Sequence, residues 1–427
     1  MARLPVYFEQ RQVGTIDVDS DGPGFTYGSA WLATRGAFPI SLTMPLRAER
    51  IAAATFLPWA ANLLPESDQL RTLGQLLGMS AGDAIGMLAE IGGDTAGALS
   101  IGRPGRTASV QWRATGTPEE LERLIEQLPH KPFLVGEEGV SMSLAGAQTK
   151  LAVAVDGAGH ICIPMNGSPS THILKPDTTR LPGGVHNEAF CLTLARRMGI
   201  ATSAATTGRA GTRAYLLVAR YDRRADQGRW RRLHQEDFCQ ALGRMPAAKY
   251  EANRSGPPGP TLTDMFAVTR RHLPPTDILR LLDMVVVNVL ACNTDAHAKN
   301  YSIMIRAGGA TLAPIYDVMC GEVWPDVTRR LAQSIAGESF GERLAATHWR
   351  QLAQDCGLNP RQVLSRITGL ARAALAEAEA AAAEVAAMPA GPHALVDEVR
   401  AAVERRAQGL LAALAPAADT AADTATA

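Results

Sequence analysis

Strand-like alternation dominates the first half of this chain and helical periodicity dominates the second, with the change near Asp222. Residues 4–46 alternate and contain turn signals, which predicts strands. Residues 56–88 predict short helices, and TPEELERLIEQL predicts a helix with a threonine cap. Strand-like runs then return as far as AYLLVARY. This order predicts an α+β protein with a sheet-rich first lobe and a mainly helical second lobe.

The second half contains several runs with helical spacing, namely QEDFCQALGRM, LTDMFAVTRRHL, DILRLLDM and HWRQLAQDCGL. Residues 281–293, LLDMVVVNVLACN, are too short for a membrane span and predict a buried element, either helix or strand. The Ala-rich residues 368–414 predict helices separated by PAGP. Residues 416–427 are expected to be disordered.

Composition excludes several classes of protein. The 427 residues allow two or more packed units, and 46% hydrophobic content is typical of globular proteins. Lys and Arg total 42, as do Asp and Glu, so bulk charge favours neither nucleic acid nor a membrane as partner. The six cysteines lack CxxC spacing and predict plain buried thiols in a reducing cytoplasm rather than a zinc site. The amino terminus lacks the pattern of a secretory signal.

The stretch NTDAHAKNYSIMIRAGGATLAPIYDVM brings three oxygen-bearing side chains together. YSIMI and ATLAPIYD predict the two strands of a hairpin around RAGG, so Asn300 and Asp317 become neighbours, with Asp295 one short loop upstream. Mg²⁺ prefers such oxygen ligands, and an aspartate free of metal can orient a substrate hydroxyl. The DxxxxN spacing is that of a kinase catalytic loop. Taken singly, Asp295 fits a helix cap, and Asn300 and Asp317 fit turn residues.

Further segments supply the other parts of a phosphoryl-transfer site. SLAGAQTK at 143–150 joins two predicted strands through small residues, so its backbone N–H groups can approach phosphate oxygens. Lys175 ends a predicted strand and Glu188 opens the next helix, an arrangement that resembles the kinase lysine–glutamate pair. LLVARY predicts the connection between the lobes, and Asp222 with Arg223 predicts a structural ion pair.

These segments resemble a known family. SLAGAQTK, HILKPD, HNEAF, ARYDRR, LHQEDFCQ, NTDAHAKNYSI and APIYDVM occur in the order found in HipA-type serine/threonine kinases, the toxins of bacterial toxin–antitoxin pairs. The resemblance covers roughly residues 4–370. It implies a two-lobed protein-kinase-like fold, with an N-terminal β-rich subdomain at 1–110, the rest of the first lobe at 111–222, a helical lobe at 223–415 and a tail at 416–427.

The resemblance also implies a role for each matching residue. Asp295 becomes the catalytic base, Asn300 and Asp317 the Mg²⁺ ligands, and Ser143 a regulatory autophosphorylation site. ATP is expected to contact the phosphate loop, the lysine, the hinge and the catalytic loop. The corresponding residues are Ala145, Gly146, Ala147, Gln148, Thr149, Lys150, Lys175, Ala219, Arg220, Tyr221, His297, Lys299, Asn300, Tyr316 and Asp317.

The chain departs from the expected pattern at Ala296, where glycine is expected, and at Val318 and Met319, which leave no DFG triplet. Control is therefore expected at Ser143. The resemblance implies growth arrest by phosphorylation of an aminoacyl-tRNA synthetase such as glutamyl-tRNA synthetase, and neutralisation by a HipB-like helix-turn-helix antitoxin through which DNA is contacted indirectly. A small-molecule phosphotransferase and a catalytically idle antitoxin-binding regulator remain alternatives.

Overall fold

The N-terminal part of the chain forms a four-stranded antiparallel sheet in the order β3-β2-β1-β4. The structure is a computed structural model that describes residues 3–253 and 256–415, so the predicted tail at 416–427 lies outside the described residues. The helices between the third and fourth strands share one hydrophobic core with this sheet. The elements are β1 (Arg3–Phe8), β2 (Arg11–Asp19), β3 (Gly22–Tyr27), α1 (Ser29–Leu32), α2 (Ala53–Ala61), α3 (Ser67–Leu77), α4 (Ala84–Ile91) and β4 (Leu99–Ile101).

A six-stranded antiparallel sheet follows, in the order β5-β7-β6-β8-β10-β9. The predicted helix at TPEELERLIEQL is confirmed, with a capping box formed by Thr117 and Glu120. The elements are β5 (Gln111–Ala114), α5 (Pro118–Gln127), β6 (Leu151–Val155), β7 (Ile161–Met165), β8 (His172–Pro176), α6 (Gly184–Arg197), β9 (Ala205–Ala210) and β10 (Arg213–Ala219).

The remaining residues are mainly helical but also contribute short strands, most of which the sequence did not predict. The elements are β11 (Arg223–Asp226), β12 (Arg229–Arg232), β13 (His234–Asp237), α7 (Phe238–Ala241), α8 (Leu262–His272), α9 (Pro275–Leu290), β14 (Ser302–Arg306), β15 (Gly309–Leu312), β16 (Arg330–Ile335), β17 (Glu338–Phe340), α10 (Ala346–Asp355), α11 (Pro360–Ala386) and α12 (Leu395–Leu414).

Several of the sequence predictions can be compared with these elements. The apolar run whose type was left open is the helix α9, and the predicted hairpin is β14–β15. QEDFCQALGRM was predicted as a helix, but its first residues form β13, which pairs with β14, and one helical turn follows. All six cysteines are free and buried, as predicted. Among the described residues, no helix has both the length and the apolar character needed to cross a membrane.

Core packing joins the first and last parts of the chain. One continuous hydrophobic core contains Phe25 and Trp59 of the N-terminal part together with Val287 and Trp349 of the helical lobe. A second, smaller core lies under the six-stranded sheet against α5. The N-terminal part is therefore packed directly on the helical lobe, which places it beside the loops that the sequence predicts to be catalytic.

Candidate active site

Lys175 is fixed between two carboxylates from different parts of the fold. Its Nζ lies 2.7 and 3.0 Å from the carboxylate oxygens of Glu188 and 2.6 Å from Asp317 Oδ1. Burial by itself lowers the pKa of Lys175, but the charges of Asp317 and Glu188 outweigh it and raise the pKa above its usual range. The predicted pairing of Lys175 with Glu188 is confirmed, and it places a permanent cation beside Asp317.

Asp317 follows the hairpin β14–β15 with a left-handed φ of 58°, which aspartate tolerates better than most residues. Burial favours a higher pKa, but Lys175 and Lys150 outweigh it and hold the pKa of Asp317 well below its usual range. The backbone just beyond is anchored to α6, because the Asn187 amide accepts from Cys320 N at 2.8 Å and donates to Cys320 O at 3.0 Å. The anchored residue, Cys320, directly follows Val318 and Met319, which stand where the DFG triplet is expected.

The loop after α9 presents Asp295 at its exposed tip. Asp295 N donates to Asn293 Oδ1 at 3.1 Å, and Asn300 Nδ2 donates to Asp295 O at 2.9 Å. Asn293 Nδ2 also reaches Asp317 O at 3.4 Å. Within the described residues Asn300 and Asp317 share no hydrogen bond, so Asn293, which sequence reasoning missed, connects the two sides of the site.

Tyr250 is a second residue that the sequence analysis missed. Its hydroxyl donates to Asp295 Oδ1. Its ring meets the buried ring of His297 edge-on, at 5.1 Å between centroids. The surrounding cleft partly dehydrates the Asp295 carboxylate and raises its pKa, whereas the hydrogen bond from Tyr250 acts in the opposite direction. Burial lowers the pKa of His297 well below its usual range, so its imidazole is neutral at pH 7.

Two oxygens suit a hard cation. Among the described residues, neither Asn300 Oδ1 nor Asp317 Oδ2 accepts a hydrogen bond, although both side chains are fixed through their other polar atom. The part of the chain that the structure describes holds no group of three His, Cys, Asp or Glu side chains arranged for a metal. Two protein oxygens are compatible with Mg²⁺, because this ion usually retains waters and substrate phosphates in the rest of its shell.

The phosphate loop at 143–150 leads into β6, but its upstream side is irregular, so the prediction that it joins two strands is wrong. Gly146 has a φ of 103°, and a Cβ there would lie 2.7 Å from Lys150 Nζ. Lys150 Nζ donates to Ala145 O. Burial lowers the pKa of Lys150 to about 8, with Asp317 opposing and Lys175 adding to the effect. Ala147 is exposed, and Gln148 and Thr149 are half-buried.

Ser143 is completely buried in this structure. Its Oγ donates to Leu63 O at 2.7 Å, and its N–H donates to Asp94 O at 3.0 Å. Phosphorylation of Ser143 therefore requires the segment to leave this position, since the hydroxyl is closed off from any phosphate donor. Its role as a phosphosite stays a prediction.

The connection between lobes uses both side chains and backbone. Arg220 N donates to Thr171 O at 2.9 Å and Ala219 N to Ala204 O at 2.7 Å. The Arg220 side chain points into a buried ion cluster, so its guanidinium does not support the predicted nucleotide contact. Tyr221 stacks on Tyr316 with centroids 5.5 Å apart.

The ion cluster is centred on two aspartates and three arginines. Arg223 lies 2.9 Å from Asp222 Oδ2, which confirms the predicted pair. Arg223 and Arg232 also lie 2.8 and 3.2 Å from Asp94 Oδ1. Asp94 comes from the N-terminal sheet region, so this cluster ties that region to the connection between lobes.

Lys299 also points away from the cleft. Its Nζ donates to Asn62 Oδ1 at 2.6 Å, to Asn62 O at 3.2 Å and to Asp237 Oδ2 at 2.9 Å. These three bonds use all the donors of an ammonium group, so none is left for a phosphate. The predicted nucleotide contact of Lys299 therefore has no support in these contacts. Its carbonyl accepts from Tyr316 Oη at 2.8 Å.

Comparison with known proteins identifies the class to which this fold and site belong. The model of the HipA N-terminal domain matches residues 4–102, and the model of the HipA-like C-terminal domain matches residues 142–378. The chain belongs to the HipA family. The predicted two-lobed, kinase-like α+β fold is confirmed.

Two relatives and one solved structure illustrate the likeness. A protein named putative kinase Y4mE from Sinorhizobium fredii is 37% identical over 381 residues, which are 86% of this chain and 89% of that protein. The serine/threonine-protein kinase toxin HipA of Shewanella oneidensis is 28% identical over 382 residues, 86% of this chain and 87% of that protein. The Shewanella oneidensis complex of HipA, HipB and operator DNA matches with a TM-score of 0.80 and 27% identity, over 96% of each chain.

Proposed function

We propose that this protein is an ATP- and Mg²⁺-dependent serine/threonine protein kinase that acts as a growth-arresting toxin. The observation that carries the proposal is the position of Lys175, which is held by Glu188 and Asp317. Such a cation neutralises charge on a transferring phosphoryl group, and Asn300 and Asp317 would hold Mg²⁺, which would supply further charge neutralisation there. Membership of the HipA family supports the same activity.

Several residues of the chain then have separate roles in phosphoryl transfer. Asp295 accepts the proton of the acceptor hydroxyl, as the exposed carboxylate at the tip of the loop. Asn300 fixes the backbone of that loop, since its amide donates to Asp295 O. Gly146 allows the phosphate loop to turn towards Lys150. Catalysis of this kind depends mostly on positioning and charge stabilisation.

The proposal extends to target and control. We propose an aminoacyl-tRNA synthetase, such as glutamyl-tRNA synthetase, as the substrate. We propose Ser143 as the site of inhibitory autophosphorylation, and a HipB-like helix-turn-helix antitoxin as the partner that contacts DNA. The Shewanella oneidensis complex of HipA, HipB and operator DNA supports the antitoxin. A phosphate at Ser143 would meet the carbonyl of Leu63, and repulsion would displace the loop.

Transfer from γ-labelled Mg–ATP to the proteins of a bacterial extract tests the proposal. Wild type is expected to label a protein on serine or threonine, and the labelled peptide identifies the target. Asp295→Asn and Asp317→Asn are expected to reduce transfer at least about 10²-fold, because a general base and a metal ligand are lost. The matched control is Asp326→Asn, an exposed aspartate after Asp317, with unchanged transfer. Full activity in either site variant contradicts the proposal.

A further inference from the structure

The segment 62–69, NLLPESDQ, lies against the phosphate loop. It runs from the end of α2 into the start of α3, and we call it the strap. Three hydrogen bonds join the strap to the loop. They are Ser143 Oγ to Leu63 O at 2.7 Å, Glu66 N to Gly146 O at 3.1 Å and Gln69 Nε2 to Ala147 O at 3.1 Å.

The same strap also contacts the helical lobe. Lys249 Nζ lies 2.7 Å from Glu66 Oε2, and Lys299 Nζ lies 2.6 Å from Asn62 Oδ1. Lys249 precedes Tyr250, whose hydroxyl donates to Asp295, and Lys299 precedes Asn300. The strap therefore contacts residues adjacent to two groups that fix the catalytic loop.

Burial reduces the screening of the charges that Glu66 and the two lysines carry. Glu66 is 9% exposed and Lys299 6% exposed. Glu66 Oε1 lies 3.8 Å from Lys299 Nζ, so one carboxylate faces two ammonium groups. Burial lowers the pKa of Lys299, but Asp237 and Glu66 outweigh it, so the pKa lies above the usual range. Lys299 retains Asp237 if Glu66 is removed, whereas among the described residues Lys249 has Glu66 as its one carboxylate partner.

We infer that Glu66 is a positioning residue that fixes the phosphate loop relative to the catalytic loop, so that the N-terminal region completes the active site. Glu66 acts at both of its ends, since its N–H holds Gly146 and its carboxylate holds Lys249. We call this double contact of Glu66 the clamp, and it follows from the hydrogen bond to Gly146 and the ion pair with Lys249 alone. Its effect on phosphoryl transfer rests on the proposed function.

Hydrogen–deuterium exchange of the ligand-free protein tests the clamp from both sides. Glu66→Ala and Lys249→Met are each expected to speed exchange of peptides covering 143–150 at least about threefold, because the loop opens more often. The double variant is expected to exceed neither single variant, since both remove the same contact. Asp68→Ala is the matched control, because Asp68 lies two positions after Glu66, is 87% exposed and, among the described residues, forms an ion pair with the exposed Arg71 alone. Unchanged exchange in both single variants, or additive effects, overturns the inference.

Glu66→Gln replaces Glu66→Ala if the alanine variant fails to fold, because it keeps the size of the side chain, and it is expected to speed exchange in the same way.

In the transfer assay Glu66→Ala is expected to raise the KM for ATP about tenfold while kcat falls less than about threefold. A merely destabilised protein would lose kcat and leave the KM unchanged. Faster exchange in a protein whose wild type transfers no phosphate contradicts the kinase function and leaves the clamp standing. An active wild type with an unaltered Glu66→Ala variant contradicts the clamp.

Discussion

The contacts of Lys175 show how single residues of this site depend on one another. Glu188 is 1% exposed, and burial raises its pKa, with Lys175 opposing that effect. Asp317 is held by the same ammonium group. Because a buried charge that loses its partner is costly, Lys175 contributes to folding as well as to any reaction at this site.

Lys175→Met is therefore expected to lower the free energy of unfolding by about 3 kcal/mol or more, because Glu188 is left buried without its cation. Phosphoryl transfer should fall at least about 10²-fold. Denaturant unfolding and the transfer assay measure the two effects. Lys175→Met combined with Glu188→Gln should recover much of the stability and none of the transfer. A double variant no more stable than the single one would contradict this account.

Tyr250→Phe tests the hydrogen bond to Asp295 without removing the ring that meets His297. A hydrogen bond to a charged group contributes about 1.5–3 kcal/mol, so loss of orientation should reduce kcat about tenfold. The affinity for ATP should stay unchanged, because Tyr250→Phe keeps the ring against His297 and removes only the hydrogen bond to Asp295, the proposed base. Steady-state kinetics with Tyr215→Phe as the control measure this. An unchanged kcat in Tyr250→Phe would contradict a role for Tyr250 in orienting Asp295.

Residue-level prediction from sequence succeeded where a local pattern existed. Lys175 and Glu188 lie in one strand–helix unit, so their pairing follows from spacing. Tyr250 and Asp295 are 45 positions apart, and no local pattern connects them. Lys299 was expected to face the nucleotide, but its partners Asn62 and Asp237 come from distant segments that spacing does not reveal.

At the scale of elements, β13 connects the N-terminal region to the hairpin that carries the site. It pairs with β14, and Glu236 in β13 accepts from Leu42 N at 2.8 Å. Glu236 is 1% exposed, and among the described residues its Oε2 has no hydrogen-bond partner. Burial raises the pKa of Glu236 to about 8.

A pH dependence of stability follows from Glu236. The folded protein holds a proton that the unfolded chain releases above its ordinary pKa of 4.5, so this contribution is full below that pH and is lost as pH rises through about 8. Glu236→Gln should be more stable than wild type at about pH 9 and similar at about pH 5. Urea unfolding at both values measures this, with the exposed Glu49→Gln as the control. Parallel pH profiles for wild type and Glu236→Gln would refute it.

Elements with long periodic patterns were predictable, and so was the local hairpin β14–β15, whereas a short strand that pairs with a distant one was not. The helices α8, α10 and the Ala-rich pair α11 and α12 follow the predicted periodicity. β13 has four residues and is stabilised by pairing with β14, which lies about 65 to 71 positions further along the sequence, so its own residues carry little signal. β16 and β17 are also short, and they pair with each other across a turn.

At the scale of the whole molecule, the N-terminal region is part of the framework of the site. It shares a hydrophobic core with the helical lobe, and Asp94 anchors the arginines of the connection between lobes. The sequence predicted a sheet-rich part followed by a helical part, but could not show that residues 62–69 reach both loops. Such contacts join residues that are up to 237 positions apart.

Calorimetric titration of the protein with ATP, with and without Mg²⁺, tests most directly whether Lys175, Asn300 and Asp317 form a nucleotide–metal site. Wild type is expected to bind ATP more tightly with Mg²⁺ than without it. Asp317→Asn should lose most of the gain from Mg²⁺, and the exposed Asp326→Asn should keep it. Wild type that binds no Mg–ATP, or an Asp317→Asn variant with the full gain from Mg²⁺, would contradict the account.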